Sequence, residues 1–327
     1  MRAIVFDRFG DEDVLRTGEV EAPLLGPDDI RIAVTYAGVN RADLLQRQGF
    51  YPPPPGASDL LGLECAGEVM EVGVSVEGWR RGERVMALLA AGGYAEEVVA
   101  HADSAMHVPD AISDQEAGAI PETFLTAFIS LFMLAKVQRG EWVLLQGGGS
   151  GVSTSATTLL KLAGANVIVT AGSAEKGARC LEHGADAAIN YETEDFAVRA
   201  REITEGRGVD VILDHIGARY LPRHISALGM GGRLVNIGSM GGVPSAELDM
   251  GAVLSRRLKI IGTTLRARPR EDKAEIVRQF LARFGDDLRA GRIHPAIHQV
   301  FAFDQAADAH RMMKSNEHFG KLVLKVR

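Results

Sequence analysis

The chain has 327 residues, 46% hydrophobic and 24% charged, with a formal net charge of −7 at pH 7. That length suits two domains of ~100–200 residues each, and the composition supports ordinary buried cores rather than disorder. An acidic surface repels phosphate backbones and anionic lipid, so nucleic acid and membrane surfaces make poor partners.

Residues 1–121 carry short β-like runs: "RAIVF", "DIRIAVTYAGV", "CAGEVMEVG", "ERVMALLA" and "YAEEVVA", with Gly and Pro between them. This spacing predicts a partly open β-barrel. The N-terminus turns acidic after a few apolar residues and shows no secretory core, and Cys65 and Cys180 lie far apart. Both features predict a cytoplasmic protein without a disulfide framework. The run "FLTAFISLFMLA" stops at Lys136, short of the ~20 residues a membrane span needs, and reads as a buried helix.

From Trp142 the pattern alternates between apolar runs ("WVLLQ", "NVIVT", "AAIN", "VDVILD", "RLVNIG", "LKIIGTT") and helix-like stretches at 152–163, 174–183 and 195–204. Continuous apolar runs separated by helices indicate a parallel sheet covered on both faces. The prediction is α/β: a doubly wound Rossmann domain over 122–264 beside the barrel. An amphipathic helix over 270–290 and a strand–helix–strand tail follow. Periodicity leaves open whether that tail extends the nucleotide sheet or returns to the first domain.

The stretch "VLLQGGGSGVS" sets glycines after the first apolar run of this alternation. Glycines allow the tight turn and a close approach of the backbone to a pyrophosphate, while the helix N-terminus supplies free N–H groups. Gly147, Gly148 and Gly149 suit the turn, and Gly151 and Val152 the approach. Ser150 can donate to a phosphate oxygen. Ser153, in place of a third glycine, should loosen the helix–strand packing. A site for NAD places an Asp or Glu at the end of the second strand, but here "NVIVTAGSAEK" ends on Ala171, Gly172 and Ser173. Ser173 and Lys176 can bind a 2′-phosphate there, with Tyr191 placed to donate a hydroxyl or to lie against the adenosine, so NADPH is the expected cofactor. Ile216 and Gly217, and Gly238 and Ser239, follow the fourth and fifth strands at the carboxyl ends where cofactors bind. Leu265, beyond the sixth, completes the cofactor set.

Together, "VNRADLLQRQGFYPPPPGASDLLGLECAGEV", "AIPETFLTAF", "TAGSAEK", "INY" and "GKLVLKV" resemble the zinc-free quinone oxidoreductases of the medium-chain dehydrogenase/reductase superfamily, and within them the p53-inducible type. The resemblance implies a GroES-like catalytic domain built from residues 1–121 and 265–327. It also implies a homodimer, with "LKIIGTT" as the pairing edge. By the same resemblance Asn40, Leu63 and Glu122 stand where zinc-dependent relatives hold their catalytic zinc, so no metal is expected. Thr126 is expected at the nicotinamide end.

A quinone is already a strong electrophile, so positioning plus one or two hydrogen bonds could replace a Lewis acid. Tyr51, stiffened by Pro52–Pro55, is the first candidate donor, and Asn40 the second. Glu64 is expected to pair with an arginine such as Arg41, and Arg266, Arg268 and Arg270 to form a solvated helix entry. The expected activity is reduction of a quinone by hydride from NADPH. Reduction of an enal or 2-enoyl thioester, or NADPH binding with little turnover, stays open.

Overall fold

A computed structural model describes residues 1–242 and 244–327. The chain forms two compact units, one of residues 1–125 with 265–327 and one of residues 126–264.

The first unit opens with an antiparallel ribbon of β1 (Arg2–Val5) and β2 (Arg16–Glu19). The long strand β3 (Asp29–Val39) leads into α1 (Arg41–Arg47). Next come β4 (Glu64–Val72), β5 (Arg84–Leu88), β6 (Glu97–His101), β7 (Ala105–His107) and the short α2 (Asp114–Ala117). Alternation drives β3: Ile30, Ile32 and Val34 are fully buried, one residue in two, as a pleated strand requires. Where β3 bends against β4, the register shifts. Gly67 sits there because a side chain would lie 1.9 Å from the Ala33 carbonyl oxygen.

Helix α3 (Pro121–Phe128) begins on a proline, whose missing N–H costs nothing in a first turn. It continues as π-type turns over Ile129–Leu134. The single regular helix expected for this apolar run is therefore a two-part helix with a wider second half.

In the second unit the elements alternate: β8 (Trp142–Leu145), α4 (Gly151–Leu162), β9 (Asn166–Ala171), α5 (Ala174–Glu182), β10 (Ala187–Asn190) and α6 (Phe196–Ile203). They continue with β11 (Val209–Asp214), α7 (Leu221–Ala227), β12 (Leu228–Asn236), α8 (Met250–Arg256) and β13 (Lys259–Gly262). All pairings are parallel, in the order β10-β9-β8-β11-β12-β13. That is the doubly wound order, with its reversal between β8 and β11. Val143, Leu144, Val167, Ile168, Val211 and Ile212 are fully buried, which is why these strands read as unbroken apolar blocks.

The return segment comprises α9 (Arg270–Arg289), β14 (Ile297–Ala302), α10 (Ala306–Ser315) and β15 (Lys321–Lys325). Strand β15 pairs antiparallel with β3, and β14 pairs parallel with β15, giving the sheet β14-β15-β3-β4-β5-β7. The tail thus joins the first unit's sheet, and Phe301, Leu322 and Leu324 enter the same core as Ile30, Ile32 and Val34. Among the described residues no helix is long and apolar enough to cross a membrane.

Entry into β15 depends on Gly320, which has φ +82° and where a side chain would lie 2.0 Å from the Ala296 carbonyl oxygen. We expect Gly320→Ala to destabilise the protein by about 1–3 kcal/mol. A denaturant midpoint unchanged from wild type would contradict this.

Candidate functional site

Within the second unit the glycine turn leaves the end of β8 at the sheet's reversal point. Gly147 has φ +57°, and a side chain there would lie 2.8 Å from the His215 ring. Gly148 is pressed against β9 and α5, with Val169 and the Cys180 sulfur within 3 Å of where a Cβ would be. Ser150 caps α4: its Oγ accepts the Ser153 N–H at 3.2 Å, which leaves its own hydroxyl proton for an anion. Ser153 is buried and donates to the Gln146 carbonyl oxygen at 2.9 Å. A hydrogen bond thus joins helix to strand where a third glycine would otherwise allow close packing. Gly151 and Val152 form the first turn of α4.

The loop is also held from below. The Gly147 N–H donates to Thr170 Oγ1 at 3.0 Å, and that hydroxyl donates to Gln146 Oε1 at 2.8 Å. Gln146 Nε2 lies 3.0 Å from His224 Nε2. His224 is fully buried, and burial pushes it down to about 3, so it is neutral and accepts from the amide. Nothing in the residue pattern announces this chain, whose members are ordinary polar residues on separate strands and a helix.

At the end of β9 there is no carboxylate. Ser173 caps α5, its Oγ accepting the Lys176 N–H at 3.2 Å, and Lys176 lies half-buried in the first turn. A side chain at Gly172 would meet the Tyr191 hydroxyl at 2.6 Å, so Gly172, Ser173 and Tyr191 share one corner.

At the ends of β11 and β12, Asp214 organises the backbone. One carboxylate oxygen accepts the Ile216 N–H at 2.8 Å, and the other accepts the Gly217 N–H at 2.9 Å and Asn236 Nδ2 at 2.8 Å. Asn236 also donates to the Gly238 carbonyl oxygen at 2.9 Å. The loops carrying Ile216, Gly217, Gly238 and Ser239 are therefore tied together. The signal for Asp214 was an Asp turning into "HIG", which reads as an Asx-turn. Thr126 is half-buried on α3, and Leu265 is buried.

Within the first unit a buried polar cluster joins the end of β3, the start of β4 and the start of β15. Lys321 Nζ donates to Glu64 Oε1 at 2.7 Å, Asn40 Oδ1 at 2.7 Å and the Val39 carbonyl oxygen at 2.9 Å. Lys321 and Glu64 are 2% and 0% exposed. Asn40 Nδ2 donates to Glu64 Oε1 at 2.9 Å, so this amide is committed to its neighbours on both sides. The arginine partner expected for Glu64 is thus corrected to Lys321; Arg41 instead bonds Asn316. Asp43 accepts the Asn40 N–H, the Gly62 N–H and the Tyr94 hydroxyl, and burial pushes it up to about 6.

Glu122, in the first turn of α3, donates its backbone N–H to Glu64 Oε2 at 2.9 Å. Burial first, and then the Glu64 charge, pushes its carboxyl up to about 8, so it holds its proton at neutral pH. Its Oε2 is sealed from solvent with no hydrogen-bond partner. An unmatched buried oxygen costs about 1–3 kcal/mol.

Tyr51 is half-buried, and its hydroxyl has no hydrogen bond among the described residues. Burial, then the nearby Glu122, raises it above the usual phenol range. Arg266 fixes its loop, donating to the Tyr51 carbonyl oxygen at 3.0 Å, the Ala90 carbonyl oxygen at 2.7 Å and Gln46 Oε1 at 2.5 Å. Its guanidinium carbon lies 5.2 Å from the Tyr51 ring centre. The expectation of a solvated run is corrected for Arg266, which is 2% exposed because three acceptors inside the fold claim it.

This donor set does not fit zinc. Asn40 is bonded to an ammonium, Leu63 is an apolar buried residue, and Glu122 is a neutral acid. Among the described residues no group of three His, Cys, Asp or Glu side chains is disposed to hold a metal ion.

The family profiles for a zinc-binding dehydrogenase and an alcohol dehydrogenase GroES-like domain match residues 183–324 and 26–110. The zinc-type alcohol dehydrogenase-like protein C1773.06c of Schizosaccharomyces pombe is 31% identical, over 100% of this chain and 99% of its own length. A phenolphthiocerol/phthiocerol polyketide synthase of Mycobacterium tuberculosis is 30% identical over 98% of this chain. The chain spans only 14% of that synthase's length. Among solved structures, an NAD-dependent alcohol dehydrogenase aligns with TM-score 0.87 at 33% identity, covering 100% of both chains. An Escherichia coli quinone oxidoreductase complexed with NADPH aligns with TM-score 0.87 at 28% identity, again covering 100% of both. The CurK enoyl reductase gives 0.88 at 26% identity, over 100% of this chain and 99% of its own. End-to-end identity above 30%, on a GroES-like barrel and a doubly wound sheet, means that the chain belongs to the medium-chain dehydrogenase/reductase superfamily of oxidoreductases.

Proposed function

We propose that this oxidoreductase is a zinc-independent NADPH:quinone oxidoreductase. The observation that carries the reading is the Lys321 ammonium bonded to Asn40, the residue that the sequence resemblance equates with a zinc ligand of zinc-dependent relatives. A site with a lysine in that place suits an acceptor that is electrophilic without Lewis-acid help, as a quinone is. The names of the solved relatives, a quinone oxidoreductase and an enoyl reductase among them, support this range of acceptors. The p53-inducible subtype rests on sequence motifs alone.

When bound, NADPH supplies the hydride. The second unit's residues would hold it. The glycine turn with Ser150, Gly151 and Val152 takes the pyrophosphate, and the tied loops with Ile216, Gly217, Gly238 and Ser239 line the remainder. Ser173, Lys176 and Tyr191 receive the 2′-phosphate end. Thr126 completes the set in this unit, while Leu265, the other residue expected at the cofactor, belongs to the first unit. The preference for NADPH over NADH rests on a serine cap and a lysine in the first turn of α5, with no carboxylate at the end of β9 itself, where a site for NAD places one. In the first unit, Tyr51 would donate a hydrogen bond to the acceptor oxygen as charge develops there. Asn40, committed to Glu64 and Lys321, acts as a positioning residue.

An activated alkene is the second reading, supported by the enoyl reductase relatives; the same Tyr51 hydroxyl would serve an enolate oxygen. We further propose a homodimer that pairs through β13, a half-open edge strand on which Ile260 is 43% exposed.

Lys176→Ala should weaken NADPH binding about tenfold, roughly 1.4 kcal/mol, and leave NADH unchanged. Calorimetry showing equal losses for both cofactors would defeat the 2′-phosphate assignment. Assayed side by side, 1,2-naphthoquinone should support faster NADPH oxidation than a crotonyl thioester. The reverse order would select the alkene reading, and turnover of neither beside tight NADPH binding would point to a binding protein. Light scattering should give twice the chain mass, and a monomer mass would remove the dimer.

A further inference from the structure

Glu122 is unlike every other acid in its cluster. Glu64 is ion-paired to Lys321, and Asp43 takes three hydrogen bonds. The Glu122 carboxyl makes no hydrogen bond among the described residues, although its Oε2 is sealed from solvent. The residue as a whole is of intermediate exposure. A buried carboxyl with no internal partner weakens the fold, since a leucine or glutamine could fill the space without an acid proton. Its surroundings explain why the proton stays. Glu64 from β4 and Asp43 from α1 oppose ionisation, and Lys321 from β15 and Lys273 from α9 favour it less strongly than burial opposes it. Tyr51 and Arg266 also lie within reach of its charge.

Resting on the reading above, we propose that Glu122 is the proton donor of the reaction. Once hydride has reached the acceptor, the Glu122 O–H bond breaks and its proton passes to the acceptor's anionic oxygen. The bonding electron pair remains on the carboxylate, which solvent water then reprotonates. Tyr51 is the weaker acid, because burial raises its phenol above the usual range. Its hydroxyl donates a hydrogen bond while Glu122 gives up the proton. An acid that titrates near the working pH is the better donor.

The test compares wild type with Glu122→Gln, an isostere of the neutral acid that cannot give a proton. The first readout needs neither cofactor nor acceptor. In protein carrying ¹³C-labelled glutamate, an infrared carboxylic-acid band should persist above the ordinary glutamate range, titrate at about 8, and be missing from the Gln variant. Thermal unfolding gives a second. A carboxyl whose folded pKa is raised loses stabilisation as pH climbs from the unfolded value toward the folded one. The Gln variant should therefore gain in midpoint over wild type between pH 4.5 and about 8, then hold that lead. In turnover, kcat should fall by about 100-fold or more with the acceptor KM little changed. The alkaline fall in the wild-type rate should be lost. A labelled glutamate that is fully ionised at neutral pH, or a Gln variant that keeps the wild-type rate and alkaline limb, overturns the proposal while the oxidoreductase reading stands. A wild-type protein that reduces no acceptor overturns both.

Discussion

Glu64 and Lys321 form an ion pair at 2.7 Å between side chains that are almost wholly out of solvent, and the first unit's polar interior is arranged around it. The partners stand 257 residues apart, so the pair ties the returning tail to the N-terminal sheet. Removing one partner of such a pair costs about 3–5 kcal/mol, because a charge is left buried alone. The pair is more than a staple. Glu64 Oε2 accepts an N–H from the first turn of α3, where an anion is favoured by the helix dipole. Glu64 Oε1 holds Asn40, from which α1 departs. One carboxylate therefore sets the starts of two helices, and Gly38 makes room for it: a side chain there would lie 2.2 Å from Glu64 Oε1.

The second unit solves a different problem, that of presenting backbone N–H groups without letting the loop relax. Thr170 does most of this. Its carbonyl oxygen accepts the Gly148 N–H at 2.7 Å and its hydroxyl accepts the Gly147 N–H at 3.0 Å. Gln146 and the neutral His224 complete the support. On the proposed reading, a turn held in this way would need little ordering when the cofactor's pyrophosphate arrives, which would spare the affinity that a floppy loop would lose. Because burial keeps His224 neutral far below physiological pH, the support does not switch with ordinary changes in pH.

What could be read from the chain divides along physical lines. Parallel strands buried on both faces leave continuous apolar blocks, and Ser150, Ser173 and Asp195 mark helix starts through their side-chain caps. The doubly wound sheet was therefore legible almost strand by strand. Over Ile129–Leu134 five of the six residues are apolar, a run too continuous to tell α from π pitch, so the change of pitch left no trace. The buried cluster was less legible still. Arg266 bonds two backbone carbonyls, which no side-chain pattern announces, and so it read as one of a solvated basic run. Arg41 was the near candidate for Glu64, but the true partner sits at the far end of the chain. Asn40, Tyr51 and Glu122 could be named from motif words, but their hydrogen bonds could not.

The cluster's charge explains why it keeps a proton. Three carboxyls, Asp43, Glu64 and Glu122, share a poorly solvated region with Lys321, whose ammonium is spent on Glu64. A divalent metal in such a place would draw the neighbouring acids into their ionised form. A single ammonium neutralises one carboxylate and leaves the next to face both desolvation and a like charge. Asp43 is rescued in part by its three hydrogen-bond donors and rises only to about 6, while Glu122, with no donor to its carboxyl, rises to about 8. On the proposed reading, a lysine in a metal's place would store a proton beside the acceptor oxygen rather than polarise that oxygen. On that same reading, such a site would do little for an unactivated alcohol, whose proton must be removed, and would suit an acceptor that takes up hydride readily and then requires a proton.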